Sequence, residues 1–132
     1  MSASRVLAVA DREQPPAVID AAHLGRMTLG DARLEREILE IFVRQIALTL
    51  KRIAGAAPAV AAAAAHTLKG SARGIGTWRL AQAAEQVEAA AGCGNAQALS
   101  AATGELEAAC LEVCTAIDAR LGKGKDAGCA FD

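Results

Sequence analysis

The feature that most constrains the fold of this chain is its alanine content. Alanine makes up about a quarter of the 132 residues, and no residue has a higher intrinsic helix propensity. The chain contains no tyrosine, two phenylalanines and one tryptophan, and it has few β-branched runs. Its length suits a single domain. The composition therefore predicts an all-α domain in which small side chains allow the helices to pack closely.

Apolar residues at helical spacing, interrupted by glycine and proline, divide the chain into segments. We expect a flexible lead-in over 1–17, a helical domain over 18–121 and a frayed tail over 122–132. Within the domain the pattern predicts a short helix over 19–27 and long helices over about 32–54, 59–73, 78–91 and 95–121. Because short connections favour antiparallel neighbours, we expect an antiparallel up-down four-helix bundle with a short N-terminal helix.

Capping residues and glycines locate the ends of these helices. Asp31 and Asn95 are expected N-caps, and the segments 74–76 and 92–94 are expected breaks. In the short helix, Leu24 and Met27 are expected to face inward. The first long helix is expected to bury a broad apolar stripe formed by Leu34, Ile38, Ile41, Phe42 and Leu48, widened by Val43, Ile46 and Leu50.

One segment of the next helix, His66 to Gly76, carries groups suited to chemistry. By helical spacing, His66 shares a face with Lys69. The other members of that face are Ala62, Ala63, Gly70 and Arg73. The opposite face, which consists of Ala61, Ala64, Leu68 and Ala72, is expected to pack inward. We therefore expect an exposed histidine with a nearby cation and no bulky neighbours, as transfer of a phosphoryl group to another protein requires.

Neutral imidazole is a nucleophile near neutral pH, because its unperturbed pKa is about 6.5. If one ring nitrogen attacks an acyl phosphate, the other needs an acceptor that fixes the tautomer. The returning helix places Glu85 and Glu88 at the level of His66, and either could be that acceptor. Lys69 would neutralise the phosphoryl oxygens, with Arg73 assisting. His23 has no such companions and is interpreted as structural or exposed.

Composition also argues against other classes of protein. The net charge is −1 and no cluster of lysine and arginine suggests nucleic-acid binding. No segment is long enough to cross a membrane, and the N-terminus lacks a signal-peptide pattern, so we expect a cytoplasmic protein without membrane association. The four cysteines have no metal-ligand spacing, so we expect buried, reduced thiols and no metal site.

The segment resembles the histidine-containing phosphotransfer (HPt) domain family. The family pattern H-x-L-K-G-[SA]-[SA]-x-x-[LIV]-G matches His66, Leu68, Lys69, Gly70, Ser71, Ala72, Ile75 and Gly76 without a gap. A weaker resemblance extends from Ile19 to Leu121. It implies a four-helix bundle whose His66 is phosphorylated at Nε2, with Lys69 stabilising the phosphoryl group and Gly70 admitting a receiver domain. Some family members carry a glutamate at the position of Glu88, which favours it over Glu85.

The resemblance also implies the partners and the limits of the chemistry. We expect a monomeric phosphorelay carrier that accepts a phosphoryl group from one receiver-domain aspartate and donates it to another. The receivers would belong to hybrid histidine kinases and response regulators. The magnesium would belong to the receiver, so the chain needs no cofactor. Because 132 residues leave no room for a kinase or receiver domain, we expect a free-standing carrier or an excised module, not an enzyme. Met1 and the lead-in that follows it favour the free-standing carrier.

Two other functions fit parts of the sequence. The turn at 74–76, followed by Thr77 to Leu80, is compatible with a helix-turn-helix DNA-binding protein. Against this, the second helix would carry Glu85 and Glu88, and the domain is slightly acidic. An adaptor bundle that binds receivers without transferring phosphate is the other alternative, and the presence of His66 argues against it.

Overall fold

The computed structural model describes residues 17–122, and those residues form five helices and no strand. The helices are α1 (Ala21–Met27), α2 (Ala32–Ile53), α3 (Pro58–Ile75), α4 (Trp78–Cys93) and α5 (Ala96–Leu121). The prediction of an all-α fold is confirmed. The lead-in predicted for residues 1–17 and the tail predicted for 122–132 lie almost entirely outside the described residues.

The long helices form an up-down bundle with a single core. Each packs against its neighbour in sequence, and α5 returns against α2, while α1 packs on α3. Leucine, isoleucine and phenylalanine from α2 and α5 provide much of the core volume, whereas α3 contributes mainly alanine. The face predicted to pack inward on α3 is buried: Ala61, Ala64, Leu68 and Ala72, together with Ala65.

Most helix ends follow from side-chain caps and glycine. The carboxylate of Asp31 accepts the backbone N–H groups of Arg33 and Leu34 at the start of α2, and Asn95 caps α5 in the same way. These caps satisfy donors that the helix itself leaves unpaired. The expected turn at 74–76 is wrong in extent, because Gly74 and Ile75 remain helical. The expected break at 92–94 is likewise confined to its last residue, since α4 continues to Cys93.

Gly76 ends α3 in a crowded place. Its φ of 97° lies in the left-handed region, where glycine is the favoured residue. A Cβ there would lie 3.1 Å from atoms of both Asp20 and His23. The Asp20 N–H donates to the Gly76 carbonyl, and a ring nitrogen of His23 lies 3.1 Å from the Gly74 carbonyl oxygen. The start of α1 therefore packs against the turn between α3 and α4, and His23 makes a structural contact there.

The inward face predicted for α2 is partly wrong. Leu34, Ile41 and Leu48 are exposed, and the buried positions are Leu39, Phe42, Ile46, Thr49 and Ile53. Thr49 continues the buried stripe because its hydroxyl donates to the carbonyl of Gln45 one turn earlier, which satisfies the polar group inside the core. In α1 only Leu24 is buried. Met27 is exposed because the helix ends at that residue.

The cysteines divide into two groups. Cys110 and Cys114 are buried as expected, and burial raises the pKa of the Cys110 thiol to about 12, so this sulfur is held in its unreactive protonated form. Cys93 is exposed, contrary to expectation, because it is the last residue of α4. Cys129 lies outside the described residues. None of the five helices is both long and apolar enough to cross a membrane.

Candidate functional site

His66 lies in the middle of α3 on an open surface. Its side chain is 68% exposed. Of the neighbours predicted to share its face, Ala63 and Gly70 are exposed and Ala62 is half-buried. Alanine and glycine present no side-chain atoms that could cover an imidazole. The ring is therefore accessible to a second protein, as the sequence predicted.

Helix α4 returns alongside α3 and brings one acidic side chain to the ring. His66 Nδ1 lies 2.8 Å from Oε2 of Glu88. Glu85, the other candidate, lies one turn earlier on α4, and its carboxylate is 3.6 Å from the guanidinium of Arg73. Residue spacing allowed either Glu85 or Glu88 to contact His66. In the structure Glu88 makes the contact.

Lys69 binds the same carboxylate from one turn along α3. Its Nζ lies 2.6 Å from Oε1 of Glu88, and its side chain is only 15% exposed. The ammonium group of Lys69 lowers the pKa of Glu88, and the hydrogen bond from His66 lowers it further, while burial opposes both effects. Glu88 is therefore a carboxylate at neutral pH, with one oxygen on Lys69 and the other on His66.

This arrangement fixes the tautomer of His66. An ionised carboxylate only accepts hydrogen bonds, so Nδ1 carries the hydrogen that it donates to Glu88. In the neutral ring the lone pair then resides on Nε2. Because the ring is exposed, that nucleophilic nitrogen is available to an approaching electrophile.

Helix α3 packs against α2 as well as against α4, and α2 carries exposed aliphatic side chains. Arg36 donates to the carbonyl of Leu121 in α5, and α2 also packs against α3. We infer that the side of α2 away from Arg36 is the side toward α3. That side carries the exposed side chains of Ile41 and Leu48. Ile41 lies as many residues before the end of α2, at Ile53, as Gly70 lies after the start of α3, at Pro58.

Leu48 and Ala63 are related to these helix ends in the same way. In an antiparallel pair of helices, Ile41 is therefore expected to lie level with Gly70, and Leu48 level with Ala63. We call the four residues Ile41, Leu48, Ala63 and Gly70 the docking face. From this register we infer that the docking face borders His66 on the side away from Glu88.

Half of this face was not predicted from the sequence. Ala63 and Gly70 were predicted to contact a partner, whereas Ile41 and Leu48 were assigned to the core. Their spacing contained a usable signal, since Leu34, Ile41 and Leu48 recur every seven residues beside a second stripe through Phe42 and Thr49. Two parallel stripes on one helix indicate that one of them faces outward.

Comparison with known proteins identifies the family. The sequence model of the Hpt domain matches residues 37–122, which is more than half of the chain. The chain belongs to the Hpt domain family. No curated protein and no solved structure matches the chain. The match to the Hpt domain begins within α2 and ends just after α5, so it covers His66, Lys69 and Glu88 but not α1.

Membership supplies the general function. Hpt domains are helical bundles that carry phosphoryl groups as phosphohistidine in two-component phosphorelays, where they interact with receiver domains. They are phosphocarriers, in contrast to enzymes with a reaction of their own. Within residues 17–122 of this Hpt domain, no group of three or more histidine, cysteine, aspartate or glutamate residues is arranged to hold a metal ion.

Proposed function

We propose that this Hpt domain relays a phosphoryl group between receiver-domain aspartates, and that Nε2 of His66 is the atom that carries it. The observation that carries this proposal is the hydrogen bond of 2.8 Å between Nδ1 and Glu88 on an otherwise open ring. It places the lone pair on the exposed nitrogen before any partner arrives. His23, the other histidine, lies against the α3–α4 turn at the end of the bundle.

The chemical step needs little from the chain itself. The Nε2 lone pair attacks the phosphorus of a receiver's aspartyl phosphate, the bond from phosphorus to the carboxylate oxygen breaks, and its electron pair returns to the aspartate. The ring becomes a phosphoimidazolium, whose positive charge faces Glu88. Lys69 would supply positive charge beside the phosphoryl oxygens. The reverse sequence donates the group to a second receiver.

The magnesium ion that assists this transfer would be held by the receiver, and this chain would contribute no cofactor. The carrier would act as a monomer in the cytoplasm, with receiver domains of hybrid histidine kinases and of response regulators as its partners. It would bind neither nucleic acid nor membrane. Phosphorylation would depend entirely on the partner, so the isolated chain should not incorporate phosphate from ATP.

The receiver would dock on the flank of His66 that faces α2. Exposed aliphatic side chains bordering a reactive residue are typical of a protein interaction site. Gly70 has open space where a side chain would begin, since a Cβ there would have no heavy atom within 4 Å. A receiver could therefore approach α3 closely at that point. Ala62 and Arg73 would lie at the edge of the contact, with Arg73 already paired to Glu85.

The direct test is transfer from a phosphorylated receiver to the purified chain. Wild type should gain phosphate that is labile to acid and stable to base, as a phosphoramidate is. His66→Gln should gain none, while His23→Gln, which removes the other histidine, should gain as much as wild type. Circular dichroism would show whether both variants remain folded.

Two results would overturn the proposal. Incorporation that survives His66→Gln would place the phosphate on another residue. A wild-type chain that binds phosphorylated receivers but takes no phosphate from any of them would support the adaptor function.

A further inference from the structure

The carboxylate of Glu88 contacts the His66 ring, which would carry the phosphoryl group, and the ammonium group of Lys69, which would neutralise it. Its Oε2 lies 2.8 Å from Nδ1 of the ring, and its Oε1 lies 2.6 Å from Nζ of Lys69. The side chain of Glu88 is 26% exposed, whereas that of His66 is 68% exposed. Glu88 is thus held in place from two sides, and its contact with the ring is at Nδ1, the nitrogen that does not react.

Loss of a phosphoryl group from histidine depends on the proton at the second ring nitrogen. When water or a carboxylate attacks phosphorus, the bond from phosphorus to Nε2 breaks and its electron pair returns to the ring. If Nδ1 carries a proton, the ring leaves as neutral imidazole. If Nδ1 has lost its proton, the ring must leave as an imidazolate anion, which is a far poorer leaving group.

We propose that Glu88 sets how long the phosphoryl group stays on His66, because it holds the Nδ1 proton in the phosphorylated state and so keeps the ring a good leaving group. The inference rests on the proposed function of His66 and concerns the regulation of that site. Phosphorylated His66 is then a labile intermediate suited to rapid donation.

Lys69 strengthens this effect once the phosphoryl group is present. In the unmodified protein Lys69 neutralises the carboxylate that His66 also uses. A phosphoryl group on Nε2 adds negative charge within reach of the lysine side chain and competes with Glu88 for it. As the ammonium group moves toward the phosphoryl oxygens, the carboxylate loses its neutralising partner and attracts the Nδ1 proton more strongly.

Few other charges face the ring. On α3, besides Lys69, only Arg73 lies on this face, and it pairs with Glu85 of α4 at 3.6 Å. Helix α2 presents uncharged Gln45 level with His66, and the neighbouring Arg44 is exposed to solvent. Helix α5 packs against α2 and α4. Glu88 is therefore the acidic group to vary, and Glu85 is a matched control on the same helix.

The experiment measures the loss of phosphate without a receiver. Wild type, Glu88→Gln and Glu85→Gln are loaded with phosphoramidate, a small-molecule donor, and the donor is removed. The rate of phosphate release is then measured from about pH 5 to about pH 9, a range that spans histidine titration. Glutamine keeps the shape of Glu88 and a hydrogen-bonding group, but it lacks the charge.

We expect all three proteins to release phosphate at similar rates at the acidic end, where Nδ1 is protonated regardless of its partner. As pH rises, the rate should fall earlier in Glu88→Gln. An opposite charge in contact with a titrating group shifts its protonation by about one pH unit or more, so above neutrality Glu88→Gln should release phosphate about tenfold more slowly. Glu85→Gln should follow wild type.

The pH dependence separates this proposal from a structural effect of the substitution. Equal rates for Glu88→Gln and wild type at every pH would overturn it, as would a rate lower by the same factor at every pH. Nitrogen-15 NMR of the phosphorylated ring gives a second readout, in which Glu88→Gln should lose the Nδ1 proton at lower pH. If phosphoramidate loads His66 but no receiver does, the relay function fails while the lifetime result still stands.

Discussion

The two flanks of His66 differ in almost every physical respect. Toward α4 the ring meets a polar network, in which Glu88 and Lys69 are fixed by contacts of 2.8 and 2.6 Å. Toward α2 it meets the docking face, where Ile41 and Leu48 are 56% and 61% exposed. On the α4 flank the polar groups find their partners within the chain. On the α2 flank apolar side chains are exposed to solvent.

This difference separates chemistry from recognition. Groups that act on the ring must hold one geometry whichever receiver is bound, and hydrogen bonds between two packed helices provide it. Recognition of a partner gains from apolar area that stays exposed until the partner covers it. Substitutions on the α2 flank should therefore affect binding, whereas substitutions on the α4 flank should affect the reaction.

The largest effect should come from charge on the docking face. The double substitution Ile41→Glu with Leu48→Glu places two carboxylates where a receiver would lay apolar surface. Truncation of a central interface residue commonly costs more than 1 kcal/mol, and buried unpaired charge costs more, so we expect about a hundredfold loss in the efficiency of transfer at limiting receiver. Loading by phosphoramidate should be unchanged, because the ring and Glu88 are untouched.

Leu111→Glu is the control for this pair. Leu111 on α5 is 53% exposed, close to the value for Ile41, but α5 packs against α4 and α2, so it lies diagonally across the bundle from α3. This variant should transfer phosphate as wild type does. If it were impaired as much as the double variant, the loss would reflect surface charge in general, and the two flanks of His66 would not be functionally distinct.

A smaller effect is expected when the α4 flank loses its cation. Lys69→Met keeps most of the aliphatic stem, which matters because the side chain is only 15% exposed. Loss of one group that stabilises charge at a partly open site should slow transfer about tenfold at saturating receiver, without changing receiver affinity. Rapid-quench measurement over a range of receiver concentrations separates these two quantities.

Arg79→Met gives the matched control for Lys69→Met. Arg79 on α4 pairs with Glu112 of α5 at 3.4 Å, so this change also removes a cation that bridges two helices. Its rate of transfer should match wild type. A weaker affinity with an unchanged rate in Lys69→Met would mean that the lysine serves recognition, contrary to the division between the flanks.

The sequence was sufficient where local chemistry determines the structure. Asp31 and Asn95 cap helices because their side chains accept backbone N–H groups that any helix start leaves unpaired. The motif from His66 to Gly76 identified the family, and spacing along α4 limited the carboxylate at the ring to Glu85 or Glu88. Each of these predictions depends on residues that are near in sequence or on the rise of a helix.

Tertiary packing decided the rest. Ile41 and Leu48 were predicted to be buried because they are apolar, and Thr49 was not among the residues predicted to be buried. The rotation of α2 reverses both assignments, and a hydroxyl bond to the Gln45 carbonyl makes Thr49 compatible with burial. The rotation of a helix about its axis is set by packing against its neighbours, so the apolar character of single residues could not predict it.

Gly70 offers a test in which stability and transfer should move in opposite directions. A Cβ would meet no heavy atom within 4 Å at either Gly70 on α3 or Gly104 on α5. Alanine at either position should therefore stabilise the fold by up to about 1 kcal/mol, because glycine in a helix interior costs about that much. Thermal unfolding should show a rise of a few degrees for each variant.

The larger substitution distinguishes the two glycines. Gly70→Leu should obstruct the docking face and lower receiver affinity, while Gly104→Leu should leave affinity unchanged, although both remain folded. Receiver binding can be measured by calorimetry with an unphosphorylated receiver. Normal binding by Gly70→Leu would contradict the close approach to α3 and would place the receiver elsewhere on the α2 flank.

The smallest effect concerns stability on the α4 flank. Because Lys69 and His66 lower the pKa of Glu88 below its ordinary value of 4.5, the folded state favours the ionised carboxylate. The stability that this provides is fully present above pH 4.5 and is lost as pH falls through the lower pKa of the folded protein. With Glu88 a quarter exposed, the contribution should be below about 1 kcal/mol.

Melting temperatures of wild type and Glu88→Gln should therefore differ most above about pH 5 and converge as the pH is lowered. Glu85→Gln, which removes a more exposed pair with Arg73, should differ less from wild type. A difference for Glu88→Gln that persists unchanged into acid would show that the ionisation of Glu88 contributes nothing to the stability of the helix pair. The polar flank would then owe its geometry to the closeness of α3 and α4, and the charge on Glu88 would serve only the ring.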